Sequence, residues 1–204
     1  MQLVLATKNK GKTLEIKSIL SDLPIEIKSL LDFPEIPDIK ETGKTFEENA
    51  LIKAKEVAKL TGLPALADDS GLAVDYLNGA PGIYSARYAG KDANDKKNNK
   101  KLLDALKGVP LESRGAAFVC VIALCLPKGN CYIKQGKCNG IISFSACGSG
   151  GFGYDPIFFL PDYGKTVAEL PLDVKNQISH RSQALRKIKS LLKELVSSAS
   201  KNFQ

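Results

Sequence analysis

The sequence predicts an α/β protein built on a mixed sheet, and three observations lead there. Short apolar runs of strand length alternate with amphipathic helical segments through the first half of the chain. After Arg114 the strand-like runs follow one another closely, as antiparallel neighbours do. Ala116 to Leu126 is continuously apolar and rich in β-formers, as a central strand covered on both faces would be.

In chain order, strands are expected at Gln2–Ala6, Ile25–Leu30, Ala65–Ala67, Leu72–Tyr76, Ala116–Leu126, Cys131–Cys138 and Ile157–Leu160. Helices are expected at Lys12–Leu20, Phe46–Leu60, Ala93–Leu106 and Arg181–Val196. The helix from Phe46 has the clearest local code. Thr45 caps it, Glu48 three residues on completes a capping box, and Gly62 stops it. Ala50, Ala54, Val57 and Ala58 give it one face of small residues for close packing on a sheet. Glu47 and Glu48 complement the helix dipole and read as solvated or capping groups. Arg114 reads as structural, and Ser197–Gln204 should fray. No repeat, linker or composition shift marks a boundary, so the 204 residues read as one domain.

Composition narrows the class. Hydrophobic content of 44% with 25% charged residues is ordinary for a soluble globular protein. The longest apolar stretch is too short to span a bilayer, and the N-terminus carries no secretory pattern, so a cytoplasmic location is expected. Five cysteines without a C-x-x-C pair, and one histidine, argue against zinc and for reduced structural thiols. The net charge of +7 fits either nucleic acid or a polyanionic small molecule. The Lys96–Lys101 run has no interleaved aromatics for base stacking, and a solvated helix face explains it.

Chemistry gathers at four places. Asp68 and Asp69 end a short strand just before the turn pair Ser70-Gly71, presenting carboxylates that can hold a hard cation or activate water. Thr7-Lys8-Asn9-Lys10-Gly11-Lys12 joins the first strand to the first helix, where backbone N–H groups and the helix dipole suit a polyphosphate. The spacing is not that of a Walker A loop, and alone the segment also reads as a solvated basic turn. The glycine-rich stretch with Phe152, Gly153, Tyr154 and Asp155 offers close backbone approach and flat faces for a base, or else a tight turn whose aromatics enter the core. Lys175, then Ser179-His180-Arg181 opening the last helix, offers donors to a carbonyl-rich ligand, or a capping serine with a surface basic pair.

Taken in order, these segments resemble the inosine/xanthosine triphosphate pyrophosphatases, the XTP/dITP diphosphatases. The resemblance spans nearly the whole chain: LATKNKGK, TFEENA, ADDSGLAVD, GAPGIYSARYAG, GGFGYDPIFF, GKT followed by AEL, and ISHR. It implies a two-lobed fold with a long mixed sheet and a cleft, a homodimer, and Mg2+-dependent cleavage between the α and β phosphates of ITP, dITP or XTP; the residues themselves lead to the expectation of no membrane and no stable nucleic-acid partner. It further implies that Thr7–Lys12 bind the triphosphate, that Asp69 is metal ligand and proton acceptor, and that Ser70 contacts substrate. Phe152–Asp155, Lys175, His180 and Arg181 would form the nucleotide and base pocket. One departure stands out. Many members of the family it resembles carry an acidic pair, whose first member is assigned to magnesium, where this chain has Lys40-Glu41. Glu41 is one substitute; otherwise the metal relies on Asp69, nearby acids and the phosphates, with Lys40 offsetting their charge. The rivals are a related pyrophosphatase for other altered nucleotides and a basic nucleic-acid-binding protein.

Overall fold

Strand β1 (Gln2–Leu5) is wholly apolar after its first residue and pairs in parallel with β2 (Glu26–Ser29) and β3 (Ala65–Val74). A computed structural model describes residues 1–201 and is an α/β structure. Its seven strands run β2-β1-β3-β4-β5-β6-β7, with β4 at Gly115–Cys125, β5 at Cys131–Ile142, β6 at Phe158–Leu160 and β7 at Lys165–Thr166. The last two pairings are antiparallel, so the sheet is mixed as expected.

The chain divides into two compact units. The first takes residues 1–69, 120–136 and the chain from Arg181 onward. Side chains alternate across a strand, and that alternation sorts its core into two layers. Leu3, Leu5, Leu66 and Cys120 pack with helix α1 (Lys10–Ile19) and helix α5 (His180–Lys201) through Ile16, Leu20, Leu185 and Ile188. Val4, Ala65 and Ala67 pack with helix α2 (Phe46–Thr61) through Ala50, Ala54 and Val57. The expected helical boundaries hold closely for α2, whose C-cap Gly62 takes the left-handed conformation at φ 66°. Its capping box is altered, however. Thr45 accepts the Glu48 N–H, but the Glu48 carboxylate takes the N–H of Lys44 rather than that of Thr45.

The second unit takes residues 70–119 and 137–180. Its core joins Leu72 and Val74 of β3 to Phe118, Ile142, Phe158 and helix α3 (Asp95–Ala105) through Leu102. Arg114 is structural, as the sequence suggested: its guanidinium donates to the carbonyls of Leu106, Ile142 and Ser143.

Four expectations are corrected. Strand β3 is continuous from Ala65 to Val74, where two strands split by a turn were expected, so Asp68 and Asp69 lie within a strand rather than at its end. Ser70-Gly71 carries a turn composition, but the buried carboxylates find cationic partners that keep the strand extended through them. A short helix, α4 (Leu172–Ile178), precedes the last helix and was not foreseen. The fraying expected from Ser197 is absent as far as Lys201, where α5 continues, and residues 202–204 lie outside the described residues. Finally, Cys125 and Cys131 form a disulfide, leaving Cys120, Cys138 and Cys147 as thiols. The turn from Leu126 to Asn130 closes with a backbone bond and brings the two Cα atoms to 4.1 Å, a proximity that the spacing of six residues does not announce.

Candidate active site

The turn from β1 into α1 is set by its own side chains. Asn9 caps α1 by accepting the Lys12 N–H at 3.0 Å, and Thr7 Oγ1 accepts the Asn9 N–H at 3.1 Å. Gly11 falls in the first helical turn, where a small residue leaves the approach to the free N–H groups open. The three lysines part company. Lys8 is solvent-facing and reaches Asp38 at 2.6 Å, Lys10 is exposed, and Lys12 turns inward to Asp68.

Asp68 and Asp69 are chain neighbours in an extended strand, so they face opposite sides of the sheet. Asp68 lies on the α1 and α5 side and is buried. Its Oδ1 pairs with Lys12, and its Oδ2 accepts from Arg181 Nε and from the Cys120 thiol, each at 2.9 Å. Arg181, only 1% exposed, also pairs with Glu15. Two cations and two carboxylates thus close a neutral buried group. Burial would raise the pKa of Asp68, but Arg181 and Lys12 outweigh it and hold the carboxyl well below its ordinary range. The Cys120 thiol is pushed well up, by burial and then by the Asp68 charge. The sequence offered Arg181 to a ligand; its guanidinium is found against Asp68 and Glu15.

Asp69 lies on the α2 side. Lys53 Nζ donates to Asp69 Oδ1 at 2.8 Å, to Glu41 Oε1 at 2.8 Å and to the Asp68 carbonyl at 3.0 Å. Those three bonds use all the donors of an ammonium. Burial raises the Asp69 pKa; Lys53 pulls it down, Glu41 repels it upward, and the net direction is up. For Lys53 burial acts downward, yet its two carboxylates prevail and raise it. Lys53 was overlooked in the sequence. The signal was available, since Ala50, Lys53, Ala54 and Val57 share one helical face, and a lysine on a buried face requires anionic partners.

Could these residues hold a divalent cation? Glu41 and Asp69 aim hard oxygen donors at one cation, and with Lys53 they carry one surplus negative charge. Among the described residues, no group of three or more His, Cys, Asp or Glu could hold a metal ion. Magnesium does not need one, because it takes one or two carboxylates with waters and substrate phosphates. The donor set fits. Glu41 occupies the neighbourhood of Asp69, whereas Lys40 is exposed.

The remaining candidate residues belong to the second unit. Asp155 Oδ2 accepts from the Phe152 N–H at 2.9 Å and pairs with Lys175 at 2.7 Å, and the Lys175 ammonium lies 4.7 Å from the Phe152 ring centroid. Gly151, at φ 72°, lies so close to Asp155 that a Cβ there would sit 2.1 Å from its carboxylate. Gly153 is held through its N–H by Asp95 and through its carbonyl by Asn99. Tyr154 is buried, its hydroxyl donating to the Ser85 carbonyl. His180 stacks on Phe118 with ring centroids 4.9 Å apart. Phe118, Cys138, Asp155, Lys175 and His180 help line a small cavity. Thr7–Lys12, Glu41, Asp69 and Arg181 therefore fall in the first unit, and Ser70, Phe152–Asp155, Lys175 and His180 in the second. Of the four places where the chain passes from one unit to the other, Asp69-Ser70 and His180-Arg181 each carry two candidate residues.

A mixed α/β fold with paired carboxylates and lysines beside a strand–turn–helix defines a class of protein equipped to handle a polyanion. The chain belongs to the Ham1 family, whose sequence profile matches residues 3–191. It is 58% identical over 191 residues to the dITP/XTP pyrophosphatase of Geobacter sulfurreducens, covering 94% of this chain and 96% of that one. It superimposes on a HAM1 protein from Coxiella burnetii with a TM-score of 0.87 and 47% identity, covering 95% of this chain and 99% of the other. The Staphylococcus aureus Ham1 protein gives 0.85 and 41%, over the same shares.

Proposed function

We propose that this chain is a Mg2+-dependent nucleoside triphosphate pyrophosphatase that converts ITP, dITP and XTP to the monophosphate and pyrophosphate, clearing deaminated purines from the nucleotide pool. The activity named for its dITP/XTP pyrophosphatase relative supports this reading. The observation that carries it is the Lys53 cation held between Asp69 and Glu41.

A triphosphate is protected by its own negative charge. Magnesium held by Asp69 and Glu41 would polarise the phosphoryl oxygens and help the pyrophosphate leave. Asp69 accepts the proton of the attacking water. Lys53, between the two carboxylates, adds positive charge beside the phosphates. Thr7, Asn9, Gly11 and the outward Lys8 and Lys10 bind the phosphates at the start of α1, while Lys12 ties that turn to Asp68. Ser70 contacts the substrate beside the base.

Purine selection falls to Phe152, Gly153, Tyr154, Asp155, Lys175 and His180. Inosine and xanthosine present a 6-oxo acceptor where adenosine presents an amino donor. Donors of the protein left facing that amino group lose their partner, which rejects adenine strongly. Arg181, through Asp68, acts on the phosphate turn in addition to any contact with the base.

The family resemblance supports a homodimer acting as one catalytic domain per chain, and a nucleotide-pool enzyme belongs in the cytoplasm. Among the described residues no helix is long and apolar enough to cross a membrane. The test is a panel of triphosphates incubated with purified protein and Mg2+, with products separated by chromatography. ITP, dITP and XTP should yield monophosphate and pyrophosphate. ATP cleaved as fast as ITP would contradict the assignment.

A further inference from the structure

Gly43 and Asn49 form a seat that the mechanism above does not use. Asn49 is fully buried in α2, and its Oδ1 accepts the Gly43 N–H at 2.8 Å. A backbone N–H only donates, so the amide oxygen must be the atom that faces it. Among the described residues, no protein group accepts from the amide nitrogen, which is turned away. A buried donor left unmatched is a cost, which points to the value of the bond made at the other end of the same side chain. Gly43 is as constrained. A Cβ there would lie 2.6 Å from Glu48 Cβ, 2.7 Å from Asn49 Oδ1 and 2.9 Å from the Asn49 backbone nitrogen. Only glycine lets the chain pass so near the helix.

Three contacts then run in sequence along α2. Glu48 holds Lys44 by its N–H, Asn49 holds Gly43, and Lys53 holds the Glu41 carboxylate. Asn49 and Lys53 are four residues apart and share a helix face. The segment carrying Glu41 is therefore laid against α2, with the buried Asn49 fixing it at Gly43, two residues from the carboxylate it would steady.

We propose that Asn49 and Gly43 are positioning residues for the metal site, fixing the Glu41 carboxylate where it shares one cation with Asp69. The inference rests on Glu41 and Asp69 being the metal carboxylates. Groups that orient a metal ligand typically change metal affinity about 10–100-fold when removed.

The experiment titrates Mn2+ into the whole protein by electron paramagnetic resonance, with thermal melting alongside. Asn49→Ala and Gly43→Ala should each weaken Mn2+ binding at least about tenfold, and Asn49→Asp, which keeps an acceptor oxygen, should stay within about threefold of the parent. Gly62→Ala, which strains the other end of α2 at φ 66°, should lower the melting temperature with Mn2+ affinity unchanged. Parental Mn2+ affinity in Asn49→Ala or Gly43→Ala, while Glu41→Gln loses it, overturns the proposal alone. Equal loss in Gly62→Ala does the same, since general loosening of α2 would then suffice. Parental affinity in Glu41→Gln overturns the metal reading itself and the proposal with it.

Discussion

Asp68 and Asp69 differ by one position and by almost everything else. One is wholly enclosed by Lys12, Arg181 and Cys120 and shifted toward the ionised form; the other, with Lys53 and Glu41, is shifted toward the protonated form. The first organises its buried surroundings, and the second is the base in the proposed mechanism. The sequence drew attention to the pair but gave both carboxylates to one edge, because Ser70-Gly71 suggested that the strand stopped there. Once β3 is continuous, strand alternation separates them. Removing one partner from a buried ionic group costs about 3–5 kcal/mol, and Asp68→Asn should destabilise the protein by that amount at pH 7. The folded pKa of Asp68 lies below its unfolded value of about 3.9, so its stabilisation is full above that pH and lost as pH falls through the folded value. Urea unfolding at pH 7 and in acid should show the gap between parent and variant shrinking as the pH falls. A variant as stable as the parent at pH 7 would remove Asp68 from its organising role.

At the scale of elements, legibility followed local chemistry. Helix α2 was readable because Thr45, Glu48 and Gly62 act on their own neighbours, and because small residues repeat on one face. Helix α4 and strand β7 were not, since each is short and owes its place to the structure around it. The same limit hid Lys53 and Glu41, twelve residues apart in sequence and joined only when the segment before α2 folds back along it. The hairpin between β4 and β5 is a further case. Nothing in the spacing of Cys125 and Cys131 marks them as partners, but neighbouring strands and a closed turn bring them together. Thiol titration of the denatured protein should count three groups without reductant and five after it. Five in both would mean that the pair stays reduced in the isolated protein.

For the whole molecule, the ordered motifs carried more information than any single one. An isolated lysine turn or aspartate pair has an ordinary structural explanation, whereas their order along 204 residues matched a family that the Ham1 profile and relatives bear out. The positive excess of +7 is then suited to a substrate that carries several negative charges. The expected phosphate turn and metal carboxylates both fall within the first unit, where Lys12 and Lys53 reach the two aspartates on opposite faces of one strand. The central claim is that Asp69, on its own face with Glu41 and Lys53, takes the proton from the attacking water. It is tested most directly by ITP turnover with Mg2+ in Asp69→Asn, read as pyrophosphate released. A folded variant slowed by about 10²–10⁴-fold is the predicted result, the scale of a general base. Turnover close to that of the parent would contradict it.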